Sequence, residues 1–254
     1  MVQESANTSV LSPTPGRTVK TVSESGNGCS AVEVARLTVV FSRVPVLRDV
    51  DLAVARGESV ALMGANGAGK STLLKCLAGA VRPSTGQVRW FGNSVARSPV
   101  VRRQIGFVGH ECGLYTELTA LENLMFAGRM YGVERVGDRA WELLAAIGLE
   151  PQADRLVGQL SQGMRRRLAI ARALVHEPLL ILLDEPFASL DAEGRRWLER
   201  FFQRWRCAGR TVCFASHDAR QSHVLADRIV RLDAGRIVAD ERMTCLSTHS
   251  LRSA

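Results

Sequence analysis

The stretch "ESVALMGANGAGKSTLL", Glu58 to Leu74, joins an apolar run, a glycine-rich segment and a second apolar segment. Its first part, "SVALM", is short and does not alternate with polar residues, which is typical of a strand buried on both faces. The segment "KSTLLKCLAGA" that follows the glycines predicts a helix. The order strand, glycine-rich loop, helix indicates an α/β core.

The glycine-rich loop matches a phosphate-binding motif. "GANGAGKS", Gly64 to Ser71, fits the pattern G-x-x-x-x-G-K-[ST] at every fixed position. Its glycines let the backbone curl so that several N–H groups face one anion, and the next helix adds its positive end. Lys70 is expected to reach the β- and γ-phosphates of ATP, and Ser71 to hold Mg²⁺; a plain turn before a core helix is the alternative. The predicted ATP-binding residues here are Gly64, Ala65, Asn66, Gly67, Ala68, Gly69, Lys70, Ser71 and Thr72.

Two adjacent carboxylates follow a second apolar run, "PLLILLD", residues 178–184. Asp184 ends this run, and Glu185 comes next. Because neighbouring residues at a strand end point in different directions, Asp184 is expected to bind Mg²⁺ while Glu185 polarises a water near the γ-phosphate. A solvated turn is the ordinary alternative, and the phosphate-binding loop favours the catalytic interpretation.

The other strand signals complete the predicted fold class. "TVCFAS", residues 211–216, has the same buried pattern, so we expect a P-loop NTPase core of the α/β class with a mostly parallel sheet. Odd-even spacing of apolar residues predicts an N-terminal antiparallel subdomain, with these segments at the edge of its sheet. The residues concerned are Val32, Val34, Leu37, Val39, Phe41, Val50, Leu52 and Val54.

Composition divides the rest of the chain. Residues 1–30 are rich in Ser, Thr, Pro and Gly without an apolar period, which predicts a disordered tail. Helical spacing over about 111–158 predicts an inserted α-helical subdomain. The ATPase domain is expected to span 31–241, followed by a C-terminal tail at 242–254.

The overall composition is that of an ordinary globular protein of 254 residues with 46% hydrophobic content. No apolar run approaches the roughly 18 residues that cross a bilayer, and the N-terminus lacks the order of a signal peptide, so we expect the chain to stay in the cytosol. Six cysteines without a CxxC pair predict reduced, structural thiols. The net charge of +8 suits nucleic acid, an acidic membrane or a polyphosphate equally.

The polar turn before the acidic strand resembles a family motif. "LSQGM", residues 160–164, resembles the signature loop LSGGQ of the ATP-binding cassette (ABC) family, and Ser161 is predicted to cap the helix after it. The resemblance implies that Ser161, Gln162 and Gly163 contact the nucleotide of a second copy of the chain, so that a homodimer encloses two ATP molecules. Gln162 replaces a glycine of the family motif, whereas Ser161 and Gly163 match it.

Three more positions match the family in order, and a fourth departs from it. The resemblance implies that His217 in "FASHD" contacts the γ-phosphate, that Asp191 in "ASLD" lies in the loop coupling the two sites, and that Phe41 stacks on adenine. His110 stands where the family's lobe-linking loop carries glutamine; an imidazole can accept from metal-bound water over a shorter reach. Taken singly, Phe41 and His217 would suit packing, and His110 a surface position. The implied catalytic residues are Lys70, Glu185 and His217.

The resemblance covers about residues 31–241. It implies an ATPase subunit at the cytoplasmic face of the inner or plasma membrane that drives an integral membrane permease and binds no nucleic acid. The strings "GHECGLYTELTALENL", "LSQGMRRRLAIARAL" and "LLDEPFASLD" are similar to the ATPase subunit of the haem exporter used in cytochrome c biogenesis. The alternatives are the ATPase of a drug, lipid or polysaccharide exporter and, from another class, a soluble cassette protein of translation or DNA repair.

Overall fold

The structure, a computed structural model, describes residues 30–93 and 98–243. In these ranges the chain forms nine strands: β1 (Ser30–Phe41), β2 (Val44–Ala55), β3 (Ser59–Met63), β4 (Thr85–Trp90), β5 (Ile105–Val108), β6 (Leu180–Asp184), β7 (Thr211–Ala215), β8 (Arg228–Asp233) and β9 (Arg236–Arg242). The same ranges hold seven α-helices: α1 (Lys70–Leu77), α2 (Pro99–Arg102), α3 (Ala120–Met130), α4 (Val136–Ala146), α5 (Gln162–Leu174), α6 (Ala192–Cys207) and α7 (Ala219–Leu225). Apart from Ser30, Arg242 and Met243, the predicted tails lie outside the described residues.

The central sheet has the strand order β5-β6-β7-β3-β8-β9. Its strands pair in parallel except β9, which returns antiparallel along β8. Every residue of β3, β6 and β7 is buried, which confirms that the apolar runs without alternation form strands covered on both faces.

This sheet separates two hydrophobic cores. Val60 and Leu62 of β3 face a core shared with α1 and the antiparallel sheet, while Ala61 and Met63 belong to the core on the other face. The second core includes the buried apolar residues of α3, α4, α5 and α6. Side chains alternate in direction along a strand, so one apolar run supplies both cores.

The N-terminal strands form a separate antiparallel sheet with the order β2-β1-β4. The predicted antiparallel subdomain is therefore present, but β1 is its middle strand and not an edge. The alternation of buried residues changes phase between Val34 and Leu37, where the pairing with β2 is irregular and Arg36 has a φ of 46°. The placement of β1 was mispredicted because its second partner, β4, is distant in the sequence.

The helical lobe consists of α3, α4 and two short 3₁₀ turns, and α5 packs against it. Thr119 and Glu122 form a capping box at the start of α3. Of the predicted range 111–158, residues 111–119 form no helix. They connect β5 to α3, so the apolar pattern there belongs to a packed loop.

No helix in the described ranges has the length and apolar character needed to cross a membrane. The four cysteines within those ranges are free thiols, as predicted, while Cys29 and Cys245 lie outside them. Burial raises the pKa of the Cys76 thiol to about 11 and that of Cys213 to about 12. Both thiols are therefore protonated and unreactive at neutral pH.

Candidate functional site

The predicted polar residues meet at one edge of the central sheet. The phosphate-binding loop follows β3, His110 follows β5, Asp184 ends β6 and His217 follows β7. These four strands are adjacent and parallel, so their carboxyl ends lie side by side. A crevice at this edge is where open α/β sheets bind ligands.

Two glycines allow the loop to pack closely on its surroundings. At Gly64, whose φ is 148°, an added Cβ would lie 2.2 Å from the Leu232 carbonyl oxygen. At Gly69, whose φ is 104°, it would lie 2.7 Å from Leu47 Cδ2. Neither position accepts a side chain, so both glycines are required by the fold of the loop itself.

Lys70 lies under this loop and is only 7% exposed. Its Nζ donates to the carbonyl oxygens of Gly64 at 2.7 Å and Ala65 at 3.0 Å. An ammonium has three N–H donors, so one remains for a bound anion. Helix α1 begins at Lys70 with neither a side-chain cap nor an acidic residue in its first turn, which suits its amide groups to phosphate.

Asp184 and Ser71 provide a pair of oxygen ligands. Ser71 Oγ donates to Asp184 Oδ1 at 3.1 Å, while Asp184 Oδ2 is buried without a hydrogen-bond partner. The carboxylate is only 1% exposed, and a buried oxygen without a partner is costly. Mg²⁺ binds through one or two such groups together with the phosphates of its nucleotide, so these residues fit the ion.

Glu185 pairs with His217. The Oε2 atom of Glu185 lies 2.8 Å from Nδ1 of His217, and their side chains are 19% and 72% exposed, respectively. Glu185 has a φ of 49°, in the left-handed region. Asp184 and Glu185 thus point to different partners, and one carboxylate next to an open histidine can act on a water molecule.

These groups line one cleft of about 490 Å³. Its lining consists of Val46, Asn66, Gly67, Gly69, Lys70, Ser71, Thr72, His110, Asp184, Glu185, Ala188 and His217. Gly64, Ala65 and Ala68 lie in the loop beneath it. Phe41, at the end of β1, is 47% exposed and is not among the described residues that line the cleft.

The signature residues lie outside this cleft. Ser161 caps α5, accepting a hydrogen bond from Met164 N at 3.2 Å, which confirms the predicted cap. Gln162 lines a neighbouring groove of about 510 Å³ that also includes Glu185 and His110. At Gly163 an added Cβ would lie 3.3 Å from the Ser189 carbonyl oxygen, so α5 packs on the loop that ends at Asp191. Asp191 caps α6 by accepting from Gly194 N at 2.7 Å.

Two residues near this site are not predictable from the sequence. Val46 lines the cleft but carries no distinguishing signal, since it is one apolar residue in a strand. Arg166 is 4% exposed and donates to the carbonyl oxygens of Gly109 and Asp184. Its position between two other arginines indicates a solvated helix face, and only the packing around α5 distinguishes it.

Known proteins are similar to this chain over much of its length. A family model described as "ABC transporter" matches residues 47–188. The ABC transporter ATP-binding protein NatA of Bacillus subtilis is 37% identical over 199 residues, covering 77% of this chain and 81% of NatA. The sulfate/thiosulfate import ATP-binding protein CysA of Mesorhizobium japonicum is 38% identical over 216 residues, covering 81% of this chain but only 62% of CysA.

Solved structures share the fold as well. The ATP-binding cassette MJ0796, in a dimeric post-hydrolysis state bound to ADP and Pi, has a TM-score of 0.79 at 29% identity, with 84% of this chain and 99% of that chain covered. An ATP-binding subunit of an ABC transporter has a TM-score of 0.78 at 32% identity, with 84% of this chain and 90% of that chain covered. With the matched motifs gathered at one sheet edge and this agreement over most of the chain, the protein belongs to the ABC transporter family, as one of its ATP-binding subunits.

Proposed function

We propose that the chain hydrolyses Mg·ATP as a homodimer whose two nucleotides are enclosed between the copies, and that this cycle drives an integral membrane permease. The observation that carries the proposal is the convergence of Lys70, the Ser71–Asp184 pair and the Glu185–His217 pair in one cleft. Together they meet the three needs of phosphoryl transfer: phosphate binding, metal binding and water activation.

The phosphate-binding loop and the start of α1 bind the phosphates. The Lys70 ammonium and the amide groups at the start of α1 bind the β- and γ-phosphates, which neutralises charge on the leaving group. Ser71 and Asp184 hold Mg²⁺, which screens the phosphate charge when bound. Phe41, exposed at the end of β1, stacks on the adenine ring.

Glu185 activates the attacking water molecule. Its carboxylate orients the attacking water and accepts its proton, while His217 holds the carboxylate through Nδ1 and contacts the γ-phosphate. His110, which also lines the cleft, would accept a hydrogen bond from metal-bound water in place of the family's glutamine.

The second copy completes the site. Ser161 and Gly163 do not line the cleft that holds Lys70, whereas Ser161 and Gln162 are exposed at the start of α5. In the proposed dimer Ser161 and Gly163 bind the γ-phosphate held by the other copy. The loop ending at Asp191 couples the two sites. The dimeric MJ0796 structure supports this arrangement by its similarity to this chain.

The test of the catalytic assignment is Glu185→Gln. The amide still accepts a hydrogen bond but cannot take the proton, so ATP binding is retained while hydrolysis falls at least about 100-fold. An ATP-bound dimer should then accumulate and elute early in size-exclusion chromatography. Glu150→Gln is the matched control, because Glu150 is exposed and lines neither the cleft nor the groove. Normal turnover in Glu185→Gln would reject Glu185 as the catalytic carboxylate.

The permease is the partner that determines where the chain works. We place the protein at the cytoplasmic face of the inner or plasma membrane, held there by the permease, with no nucleic acid involved. Purification from detergent-solubilised membranes should recover an integral membrane protein with the chain. Its recovery solely from the soluble fraction, without such a partner, would favour a non-transport ATPase.

For the cargo we propose haem export for cytochrome c biogenesis. The support is the similarity of three strings, which include His110, the signature residues and Asp184–Asp191, to the ATPase of that exporter. A second candidate is import of a small solute, because CysA and the spermidine/putrescine import ATP-binding protein PotA of Lawsonia intracellularis, 36% identical over 215 residues, carry import in their names.

One pair of strains separates these cargoes. A deletion strain is complemented with the wild-type chain or with Glu185→Gln, and covalent haem on c-type cytochromes is stained by peroxidase activity in gels. Loss of staining with normal uptake of labelled sulfate and polyamine supports haem export. Normal staining with reduced uptake of either solute supports import and rejects haem, while the ATPase assignment is unaffected.

A further inference from the structure

Arg166 is a buried cation inside the signature helix α5. It is one of three consecutive arginines, and only 4% of its surface is exposed, whereas Arg165 and Arg167 are half-buried. Removing a guanidinium from water carries a desolvation cost that its partners must offset. Those partners therefore indicate what the side chain holds in place.

Both partners are backbone carbonyls at the catalytic edge of the central sheet. Nη1 of Arg166 donates to the Gly109 oxygen at 2.7 Å, and Nη2 donates to the Asp184 oxygen. Gly109 immediately precedes His110, and Asp184 immediately precedes Glu185. Each carbonyl therefore belongs to the peptide unit that contains the N–H of His110 or of Glu185.

The peptide unit before Glu185 is held from both sides. Its carbonyl accepts from Arg166, and its N–H donates to the Ala215 oxygen at 3.1 Å. Glu185 has a φ of 49°, which a residue other than glycine keeps only when its surroundings determine it. The two contacts fix the peptide unit from which this rotation starts, and with this backbone Glu185 Oε2 lies 2.8 Å from His217 Nδ1.

The same guanidinium also bridges two loops, just beyond the paired ends of β5 and β6. Its donors form a rigid planar fork, so bonds to Gly109 and Asp184 tie the His110 loop to the Glu185 loop. Arg166 is carried by α5, whose first turn holds the signature residues. A displacement of that first turn moves Arg166 with it, because α5 is one continuous helix.

We propose that Arg166 is a positioning residue that holds Glu185 and His110 in the geometry for hydrolysis and links that geometry to the signature helix. The inference rests on the proposed function, since it takes Glu185 as the catalytic carboxylate. In the dimer, contact between α5 and the nucleotide of the second copy is thereby transmitted to the catalytic carboxylate of its own copy.

The test compares Arg166→Met and Arg166→Lys with Arg167→Met in the full chain. Arg167 is a matched control, because it is the next residue of α5 and also donates to a backbone carbonyl, that of Ile147 at 2.8 Å. We expect Arg166→Met to lower kcat about 10- to 100-fold with the KM for ATP within about threefold. Arg166→Lys should be intermediate, since its flexible ammonium does not fix two carbonyls, and Arg167→Met should stay within about twofold of wild type.

Wild-type kcat in both Arg166 variants would overturn the proposal, as would an equal loss in Arg167→Met. If Arg166→Met does not fold, as judged by its melting temperature and circular dichroism, the kcat of Arg166→Lys alone decides. In that case wild-type kcat overturns the proposal, and a reduced kcat at unchanged KM supports it.

A double-mutant cycle separates this inference from the proposed function. If Arg166 acts through Glu185, adding Arg166→Met to Glu185→Gln should leave single-turnover hydrolysis within about twofold of Glu185→Gln alone. A further loss equal to that of Arg166→Met by itself would overturn the positioning of Glu185 by Arg166 while Glu185 remains catalytic. Normal hydrolysis in Glu185→Gln alone would reject the proposed function itself.

Discussion

Asp184 and Glu185 are consecutive residues whose carboxylates lie in different surroundings. Asp184 is 1% exposed and accepts a hydrogen bond from Ser71 Oγ, and its second carboxylate oxygen is buried without a hydrogen-bond partner. Glu185 leaves the strand with a φ of 49°, which turns its side chain to His217. The left-handed backbone of Glu185 thus directs its carboxylate away from that of Asp184, the proposed metal ligand, although the two residues are consecutive.

Lys70→Ala should abolish hydrolysis and weaken ATP binding about tenfold or more, because the positive charge on the β- and γ-phosphates is lost. Turnover is measured by phosphate release, and binding by titration with a fluorescent nucleotide. Lys75→Ala is the control, since Lys75 is exposed in the last turn of the same helix. Full turnover in Lys70→Ala would be incompatible with the proposed phosphate site.

At the level of secondary structure, α5 connects the two halves of the proposed composite site. Its first turn carries the signature and is capped by Ser161, and Gly163 packs on the loop ending at Asp191. Arg166, in its second turn, contacts the strand ends that carry His110 and Glu185. The helix therefore touches the proposed catalytic edge of its own chain while presenting its N-terminus to solvent.

Gly163→Asp should block closure of the dimer without preventing ATP from binding to the monomer. The new carboxylate would face the triphosphate held by the second copy, and like charges repel. ATP binding is measured by nucleotide titration and dimer formation by size-exclusion chromatography. Gly137→Asp controls for the charge introduced on a helix, because an added Cβ at Gly137 of α4 meets nothing within 4 Å. Loss of monomer binding in Gly163→Asp would instead place the signature in its own site.

Mixing two inactive variants tests the same prediction from the other direction. A heterodimer of Gly163→Asp with Lys70→Ala has both lesions in one composite site and none in the other. Some ATPase activity should return if one intact site suffices, while each homodimer stays inactive. Activity is measured across mixing ratios, and a maximum near equal amounts is expected.

In the molecule as a whole, the central sheet lies between the two hydrophobic cores. His176 connects the helical lobe to β5, the edge strand of this sheet. The imidazole stacks on Tyr131 with ring centroids 3.8 Å apart, and its Nε2 lies 3.1 Å from the Ile105 oxygen. Burial, assisted by the charge of Arg103, lowers the pKa of His176 from 6.5 to about 4. The neutral form is therefore the one that fits the folded protein.

This histidine should make the fold sensitive to acid. Between pH 6.5 and 4 the unfolded chain binds the proton and the folded chain does not, so stability falls as the pH is lowered through that window. We expect His176 to account for about 2 kcal/mol of the stability lost between pH 7 and 4.5. Urea unfolding of wild type and His176→Phe, which keeps the stacked ring without a titrating group, measures this difference. An equal loss in both proteins would contradict the prediction.

The core of the fold and most of the candidate cleft follow from local sequence. The glycines at 64 and 69 satisfy backbone requirements, and unalternated apolar runs specify strands buried on both faces. Lys70, Asp184, Glu185 and His217 lie beside such strands in the chain. Once the strands are parallel, their carboxyl ends meet, so local signals were enough to predict that Lys70, Asp184 and Glu185 come together, whereas His217 was assigned only through the family resemblance.

Other features depend on contacts between distant segments. β1 is the middle strand of the antiparallel sheet because β4 pairs with its free edge, and nothing within the sequence of β1 indicates that partner. Arg166 is buried between two half-buried arginines because β5 and β6 place carbonyls beside it, whereas its own neighbours predict a solvated face. Burial is a property of the packed assembly of elements, and a polar residue becomes structural only where that assembly supplies partners from elsewhere in the chain.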